Sequence, residues 1–359
     1  MSGKTAADWI RPEIQALSAY HVNEHAGLIK LDAMENPYSW SEDLVDQWLE
    51  LLRRVELNRY PDPEAEVVRH ALRDSMAVPD AASMVLGNGS DELIQMILLS
   101  LAGEGRCVLT PQPGFVMYRL SATVTGLEYV GVPLRNDDFQ LDMPAMRAAI
   151  AQHNPAVIFI ACPNNPTGNG FSRSDILELI DLAPGLIVLD EAYAPFTEQT
   201  FIADVVDFDN LLVMRTVSKM GLAGLRLGLL VGNAQWIDEI NKTRLPYNIN
   251  VLTQASSLFA LQHSELFDQQ AAQIRADRKK LVVELMAHQR LQVFPSEANF
   301  ILLRTPVGRA DEIFDRVKDL GVLIKNLHGS DPALADCLRV TVGSAAENKA
   351  FLNALATAL

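Results

Sequence analysis

The chain has 359 residues, and its composition, 49% hydrophobic and 21% charged, is that of an ordinary soluble globular protein. Its length and composition exclude a disordered chain, a collagen-like chain and a coiled-coil rod, and they predict about two domains. The net charge of −15 disfavours nucleic acid as a partner, because so acidic a protein repels a phosphate backbone.

The first two thirds of the chain predict an N-terminal arm followed by an α/β domain. Helical periodicity occurs at 41–57 and 64–76, on either side of a turn at 58–63 that two prolines make rigid. From residue 84 onward short apolar strands alternate with helices, which is typical of a mostly parallel sheet. The seven predicted strands cover 84–86, 107–109, 129–132, 156–161, 186–189, 211–215 and 227–231, and the helices cover 91–101, 114–124, 143–152 and 174–182.

The pattern changes near residue 235 and predicts a second, smaller α+β domain. From there on, helices are predicted at 236–242, 251–288, 311–320 and 346–359 and strands at 300–304 and 337–342. We therefore predict three parts: an arm with a helix that packs on the small domain (1–58), a large domain (59–250) and a small C-terminal domain (251–359).

A glycine-rich segment, Gly87-Asn88-Gly89-Ser90-Asp91-Glu92, lies between the first predicted strand of this sheet and the helix that follows it. Glycines let the backbone approach a ligand closely, and a helix N-terminus offers free N–H groups to an anion. The segment matches neither the dinucleotide-binding fingerprint nor the P-loop. It predicts either an anion site or an ordinary helix cap formed by Ser90 or Asp91.

Polar residues also follow two buried strands. The segment 162–168 places Asn164 and Asn165 between two prolines, which predicts either a rigid turn or a loop that presents the Asn165 amide to a ligand. Asp190 ends the next strand, and Tyr193 follows it. A carboxylate at the end of an apolar strand is costly unless it meets a cation. Asp190 is therefore either a helix cap or the partner of an organic cation, since no cluster with metal-ligand spacing follows and no metal is expected.

The segment 216–228 carries hydroxyl groups and two cationic side chains among glycines. Thr216, Ser218, Lys219 and Arg226 lie between two apolar strands. A lysine in a loop is ordinarily solvated. Here its neighbours form a possible anion site, and that favours a lysine held for chemistry.

Together the four segments match the needs of one cofactor, pyridoxal 5′-phosphate (PLP). Its aldehyde bonds to a lysine, its pyridinium nitrogen needs an acidic partner, and its phosphate needs an anion site. A lone lysine or a lone asparagine loop would be weak support, but the ordered set predicts a PLP site.

At these residues the sequence resembles the fold-type-I, PLP-dependent aminotransferases over nearly its whole length. The resemblance implies a large domain with a mostly parallel seven-stranded sheet and a smaller α+β C-terminal domain. It is carried by the motifs Glu35-Asn36-Pro37, Arg59-Tyr60-Pro61, Gly87 to Glu92, Pro113 to Tyr118, Pro163 to Gly168, Asp190 to Tyr193, Ser218-Lys219, Gly224 to Gly228, Ser296 to Phe300 and Leu338 to Gly343.

The resemblance also implies roles for individual residues. Lys219 would bond to the cofactor and move the proton, Asp190 would pair with the pyridinium nitrogen, and Phe115 would stack on the ring. The ring hydroxyl would be bound by Asn165 and Tyr193. The phosphate would be bound by Ser90, Asp91, Thr216, Ser218, Arg226 and, from the other subunit of a dimer, Tyr60. The substrate would be bound by Tyr20, Asn36, Lys325 and Arg339.

Two of these positions depart from the commoner pattern of the family. Many relatives carry tyrosine at the position of Phe115 and arginine at the position of Lys325. Phenylalanine keeps the stacking surface but lacks the hydroxyl, and lysine keeps the charge but lacks the bidentate geometry of arginine.

The activity that the resemblance implies is transfer of an amino group between histidinol phosphate and 2-oxoglutarate, with glutamate as the other amine, in histidine biosynthesis. The alternatives are an aromatic amino-acid transaminase and a PLP-dependent decarboxylase of a phosphorylated amino acid. A non-catalytic ligand-binding domain of a transcription regulator is disfavoured, because no basic DNA-binding module is present. The resemblance implies a homodimer, and the negative charge disfavours nucleic-acid partners. We expect a cytoplasmic protein without membrane partners, because the sequence shows neither a secretory signal nor a long apolar run.

Overall fold

The structure is a computed structural model that describes residues 5–19 and 26–359. Helices and strands alternate along most of it. The helices are α1 (Pro12–Gln15), α2 (Glu42–Leu52), α3 (Glu66–Ser75), α4 (Ser90–Leu101), α5 (Val116–Thr125), α6 (Met143–His153), α7 (Arg173–Leu182), α8 (Ala234–Asn241), α9 (Val251–Leu261), α10 (Ser264–Met286), α11 (Ala310–Asp319) and α12 (Ala345–Ala358).

The strands form three sheets. In chain order they are β1 (Ile29–Lys30), β2 (Ser83–Gly87), β3 (Cys107–Gln112), β4 (Glu128–Pro133), β5 (Val157–Ala161), β6 (Leu186–Asp190), β7 (Leu211–Thr216), β8 (Gly228–Gly232), β9 (Gln292–Val293), β10 (Phe300–Arg304), β11 (Val322–Leu323), β12 (Lys325–Asn326) and β13 (Cys337–Thr341).

The large sheet has seven strands in the order β2-β8-β7-β6-β5-β3-β4. Only β8 runs antiparallel to its neighbours, so the predicted mostly parallel sheet is confirmed. Every residue of β5 and β6 is buried, as expected when helices cover both faces of a parallel sheet. Alternate residues of these strands, such as Val157 and Ile158, enter different core clusters.

The parallel arrangement brings the carboxyl ends of β5, β6 and β7 to one edge of this sheet. The segments after these strands begin at Cys162, Glu191 and Val217. In parallel sheets ligands bind at this edge, next to the point where the strand order reverses. The β2 strand runs in the same direction as β7, because both are antiparallel to β8, so the segment after β2 begins at this edge as well. The fold therefore gathers all four polar segments in one place, although they are far apart in sequence.

A smaller antiparallel sheet, β12-β13-β10-β9, forms the core of the C-terminal region with α10, α11 and α12. The N-terminal arm joins this region, because β1 pairs in parallel with β11. Leu31 continues the connection: its N–H donates to Leu323 and its carbonyl oxygen accepts from Thr341. The exact division into three parts stays a prediction.

Two predicted helices differ from the observed ones. The predicted helix 251–288 is two helices, α9 and α10, because the His263 ring nitrogen donates to the Phe259 carbonyl oxygen at 2.9 Å, in place of the His263 backbone N–H. The apolar periodicity continues across this break and does not reveal it. The helix predicted at 41–57 ends at Leu52. The chain then forms a turn in which the Val55 N–H donates to the Leu52 carbonyl oxygen.

Within the described residues, no helix combines the length and the apolar character that crossing a membrane requires.

Candidate active site

One cavity at the carboxyl edge of the large sheet gathers most of the predicted cofactor residues. Its volume is about 110 Å³, and Met34, Ala161 and Ala192 complete its wall. The predicted residues that line it are Ser90, Asp91, Phe115, Asn165, Asp190, Tyr193, Thr216, Ser218, Lys219 and Arg226. Tyr60 is the one predicted cofactor residue outside this cavity.

Asp190 is a buried carboxylate at the end of β6, with 4% of its surface exposed. Its Oδ2 accepts a hydrogen bond from Tyr118 Oη at 2.7 Å, and its Oδ1 accepts one from the Ala192 N–H at 3.0 Å. Burial raises the pKa of Asp190 to about 6. A carboxylate in this position would be stabilised by a cation that enters the cavity. Asp190 is not a helix cap, because the short 3-10 helix after it begins at Ala194 and has Tyr193 as its N-cap.

The adjacent carboxylate, Glu191, has a structural role. It is 2% exposed, and both Nε and Nη2 of Arg215 donate to its Oε2 at 2.9 Å and 2.8 Å. Its Oε1 accepts from the Phe201 N–H. Glu191 is thus paired with Arg215, whereas Asp190 has no such ion pair with any described residue. Of these two carboxylates, Asp190 is the one available to a charged ligand.

A chain of hydrogen bonds connects Tyr193 and Asn165, which line the cavity, with the small domain. Asn165 Nδ2 donates to Tyr193 Oη at 3.1 Å, and Asn165 Oδ1 accepts from Arg339 Nη1 at 2.6 Å. Arg339 Nη2 donates to the carbonyl oxygen of Asp32 at 3.0 Å, and its guanidinium lies 5.2 Å from the centre of the Phe300 ring. The buried Arg339 guanidinium thus lies beside the cavity with a fixed orientation.

The start of α4 forms an anion cradle. The N-cap is Gly89, which has a φ of +80° and makes no side-chain cap, so capping by Ser90 or Asp91 is not observed. A Cβ on Gly228 would lie 2.9 Å from the Gly89 carbonyl carbon, so only glycine fits there. The exposed N–H groups of a helix N-terminus attract an anion.

Hydroxyl and guanidinium groups surround this cradle. Thr216 Oγ1 donates to Ser218 Oγ at 2.8 Å and accepts from the Ser218 N–H at 3.1 Å. Arg226 reaches Asp91 Oδ2 with Nη2 at 3.3 Å. The half-exposed Arg226 guanidinium is only partly engaged by this ion pair, and it lies where an anion at the α4 N-terminus would meet it.

Lys219 lies in the cavity wall rather than in solvent. Its Nζ is 3.4 Å from the carbonyl oxygen of Ala33 and 5.8 Å from the centre of the Tyr193 ring. Burial, together with the positive charge of Arg339, lowers the pKa of Lys219 to about 8. The predicted alternative of a solvated lysine is therefore wrong, and the amine is close to the pH range in which it becomes a nucleophile.

Two further predicted residues, Asn36 and Lys325, do not line the cavity. Asn36 supports the lysine loop: its Nδ2 donates to Met220 and Gln270, both at 2.9 Å, and its Oδ1 accepts from the Tyr38 N–H. Lys325 lies directly opposite Arg339 in the pairing of β12 with β13. Asn36 thus supports the lysine loop, and its contact with a substrate stays a prediction.

The two remaining tyrosines are placed differently. Tyr60 is 81% exposed and stacks on Tyr247, with ring centroids 4.5 Å apart and planes within 19°. It does not reach the cavity of its own chain. Tyr20 lies outside the described residues.

Sequence reasoning missed Tyr118, which contacts Asp190 directly. Its position in the motif Pro113 to Tyr118 was the available signal, but nothing local distinguishes it from a core tyrosine. Among residues 5–19 and 26–359, no group of three or more metal-binding side chains exists.

Known proteins resemble this chain over nearly its whole length. Residues 26–355 match the family described as aminotransferase class I and II. The chain is 57% identical over 355 residues to histidinol-phosphate aminotransferase 2 of Nitrosococcus oceani, covering 99% of this chain and 98% of that protein. It is 50% identical to histidinol-phosphate aminotransferase of Chromobacterium violaceum, covering 98% of each.

A solved structure has the same fold. Histidinol-phosphate aminotransferase from Sinorhizobium meliloti, in complex with pyridoxal-5′-phosphate, superposes with a TM-score of 0.86 at 23% identity, covering 98% of this chain and 97% of that one. At this identity the likeness concerns the fold alone.

Proposed function

We propose, because the chain belongs to the family of class I and II aminotransferases, that it transfers an amino group between histidinol phosphate and 2-oxoglutarate with PLP as its cofactor. The substrate assignment is supported by relatives of this name that are 50% or more identical over nearly the whole chain. The cofactor assignment rests on one observation, the cavity in which Lys219, Asp190 and the α4 N-terminus converge. The reaction interconverts histidinol phosphate and 2-oxoglutarate with imidazole-acetol phosphate and glutamate.

The side chains of the cavity fit PLP group by group. Asp190 is buried, accepts two hydrogen bonds and forms no ion pair with another of the described residues, which suits a protonated ring nitrogen. Asn165 and Tyr193 suit the ring hydroxyl, and Phe115 provides a stacking face. The phosphate suits the α4 N-terminus, with Ser90, Asp91, Thr216, Ser218 and Arg226 around it.

When bound, PLP supplies an aldehyde that bonds reversibly to amines and a ring that accepts the electron pair released at the carbon bearing the amine. The chain supplies the rest. Lys219 holds the cofactor and moves the proton, which its lowered pKa of about 8 favours. Asp190 keeps the ring nitrogen protonated, and Arg339 binds the anionic end of either substrate.

The first test follows both half-reactions in the purified protein. Addition of histidinol phosphate is expected to change the absorbance spectrum of the bound cofactor, and 2-oxoglutarate should restore it with formation of glutamate. No carbon dioxide should be released. Carbon dioxide release would favour a decarboxylase, and faster transfer from phenylalanine or tyrosine than from histidinol phosphate would favour an aromatic amino-acid transaminase.

We also propose that the enzyme is a cytoplasmic homodimer in which Tyr60 serves the partner's active site. This proposal is supported by the exposure of Tyr60, whose ring is fixed by Tyr247 yet distant from the cavity of its own chain. An exposed tyrosine pair of this kind is common in interface cores, where aromatic residues are enriched.

Mixing Tyr60→Phe and Lys219→Ala chains tests the shared site. Heterodimers of Tyr60→Phe and Lys219→Ala chains should regain one intact site, because one site then combines an unaltered Lys219 with an unaltered Tyr60. Activity should approach half that of the unaltered dimer per heterodimer. If Tyr60→Phe alone is severely damaging and isolated heterodimers stay inactive, Tyr60 does not cross the interface.

A further inference from the structure

We propose that Tyr118 is a positioning residue that keeps the Asp190 carboxylate ionised and in a single orientation for the ring nitrogen of the cofactor. This inference rests on the proposed PLP-dependent function. It concerns a side chain that does not line the cavity and that acts through Asp190.

The ring of Tyr118 is fixed on two sides. Only 1% of the residue is exposed, and its ring stacks on Phe159 with centroids 4.9 Å apart and planes within 17°. The ring of Phe115, itself in the cavity wall, contacts Tyr118 edge-on at 5.5 Å. Because neither neighbour allows the ring to move far, the hydroxyl of Tyr118 is aimed at one point.

That point is Asp190 Oδ2, at 2.7 Å. The other oxygen, Oδ1, accepts from the Ala192 N–H at 3.0 Å. The two donors fix the carboxylate plane at the end of β6. Each carboxylate oxygen can accept more than one hydrogen bond, so both remain able to meet a donor from the cavity.

The surroundings of Asp190 make this donor important. Burial raises the pKa of Asp190 to about 6, and the negative charges of Asp91 and Glu191 act in the same direction. Tyr193 also faces Asp190. Two hydrogen bonds oppose this rise and lower the pKa of Asp190. The bond from Tyr118 has the larger effect, and the bond from the Ala192 N–H has the smaller one.

The phenol itself remains a neutral donor. Burial, with the negative charge of Asp190 and the neighbouring Tyr193 and Tyr129, raises the pKa of Tyr118 well above its ordinary value. The hydroxyl therefore keeps its proton over the whole pH range in which Asp190 titrates. Removing it should raise the pKa of Asp190 further, since the ionised form loses a charge-assisted hydrogen bond.

The test compares Tyr118→Phe with Tyr129→Phe. The Tyr129 hydroxyl bonds to Thr110 at 2.6 Å, so this control also loses one tyrosine hydroxyl but not a bond to Asp190. The probe is 4′-deoxypyridoxine 5′-phosphate, which keeps the ring nitrogen and the phosphate but cannot bond to Lys219. Its dissociation constant is measured on the full-length chain, freed of cofactor, from about pH 5 to about pH 9.

The probe should bind best above the pKa of Asp190 and weaken as pH falls through it, because the ionised carboxylate is the form that binds a protonated ring. In Tyr118→Phe this weakening should begin at a pH higher by roughly one unit. The dissociation constant should therefore rise about twofold near pH 7 and about tenfold near pH 5, and it should match that of the unaltered protein near pH 9. Tyr129→Phe should match the unaltered protein. Titrations of the probe itself are common to all variants and cancel in the comparison.

A double-mutant cycle separates action through Asp190 from a packing effect. In an Asp190→Asn background, Tyr118→Phe should cause no further loss of affinity, since no carboxylate remains to be held. Equal losses in both backgrounds, or a pH profile no different from that of Tyr129→Phe, would overturn the inference. Failure of the unaltered chain to bind either the probe or PLP would instead overturn the proposed function.

Discussion

Lys219→Ala is expected to reduce turnover at least about a thousandfold. The change removes both the amine that holds the cofactor and the group that moves the proton, and each contributes to the rate. Borohydride treatment of the unaltered enzyme, followed by peptide mapping, should find the cofactor fixed to Lys219. Because the pKa of Lys219 is about 8, the rate of cofactor attachment to the empty protein should rise with pH and level off above that value.

Lys242→Ala is the matched control for this experiment. Its ammonium pairs with Glu239 on the surface of the large domain, and 67% of its side chain is exposed. This variant should keep full turnover and the same labelled peptide. Label on Lys242 or on Lys325 would contradict the assignment of Lys219.

Arg339→Ala is expected to weaken both half-reactions by at least about tenfold. Histidinol phosphate carries a phosphate where glutamate carries a carboxylate, so one cation that meets both anions is the simplest arrangement. A guanidinium binds either group through two hydrogen bonds, and loss of a buried charge-assisted pair costs roughly 2–5 kcal/mol. The measurement is kcat/KM for histidinol phosphate and for glutamate, and about 1.4 kcal/mol corresponds to a tenfold change.

Two controls separate anion binding from a general disturbance. Arg339→Lys keeps the charge but not the planar fork, and it should recover part of the loss. Arg304→Ala removes a guanidinium from β10 of the same sheet, where it bonds to Gln292 and to loop carbonyls, and should leave both half-reactions unchanged. If the cofactor spectrum is intact and neither kcat/KM changes in Arg339→Ala, Lys325 becomes the candidate anchor.

Much of the candidate site could be predicted because its parts are local in sequence. Each polar segment follows a short apolar strand, and parallel strands bring their carboxyl ends together. Asp190 and Lys219 could therefore be placed at one edge without knowledge of the strand order. The glycines around Ser90 indicate a close backbone approach, and the structure places Gly228 against Gly89.

Contacts between distant segments could not be predicted in this way. The hydrogen bonds of Tyr118 to Asp190 and of Arg339 to Asn165 join residues 72 and 174 positions apart. No local pattern distinguishes a tyrosine that holds a carboxylate from one that only fills the core. Asn36 shows the same difficulty, since its motif is visible but its support of the lysine loop depends on contacts with Met220 and Gln270.

The backbone of the N-terminal arm links the two cationic groups of the site. The carbonyl oxygen of Asp32 accepts from Arg339, and that of the next residue, Ala33, accepts from Lys219. Adjacent peptide groups thus set the spacing between a cation of the small domain and one of the large domain. Since the arm contributes only carbonyl oxygens to these two bonds, neither contact depends on the side chain at position 32 or 33.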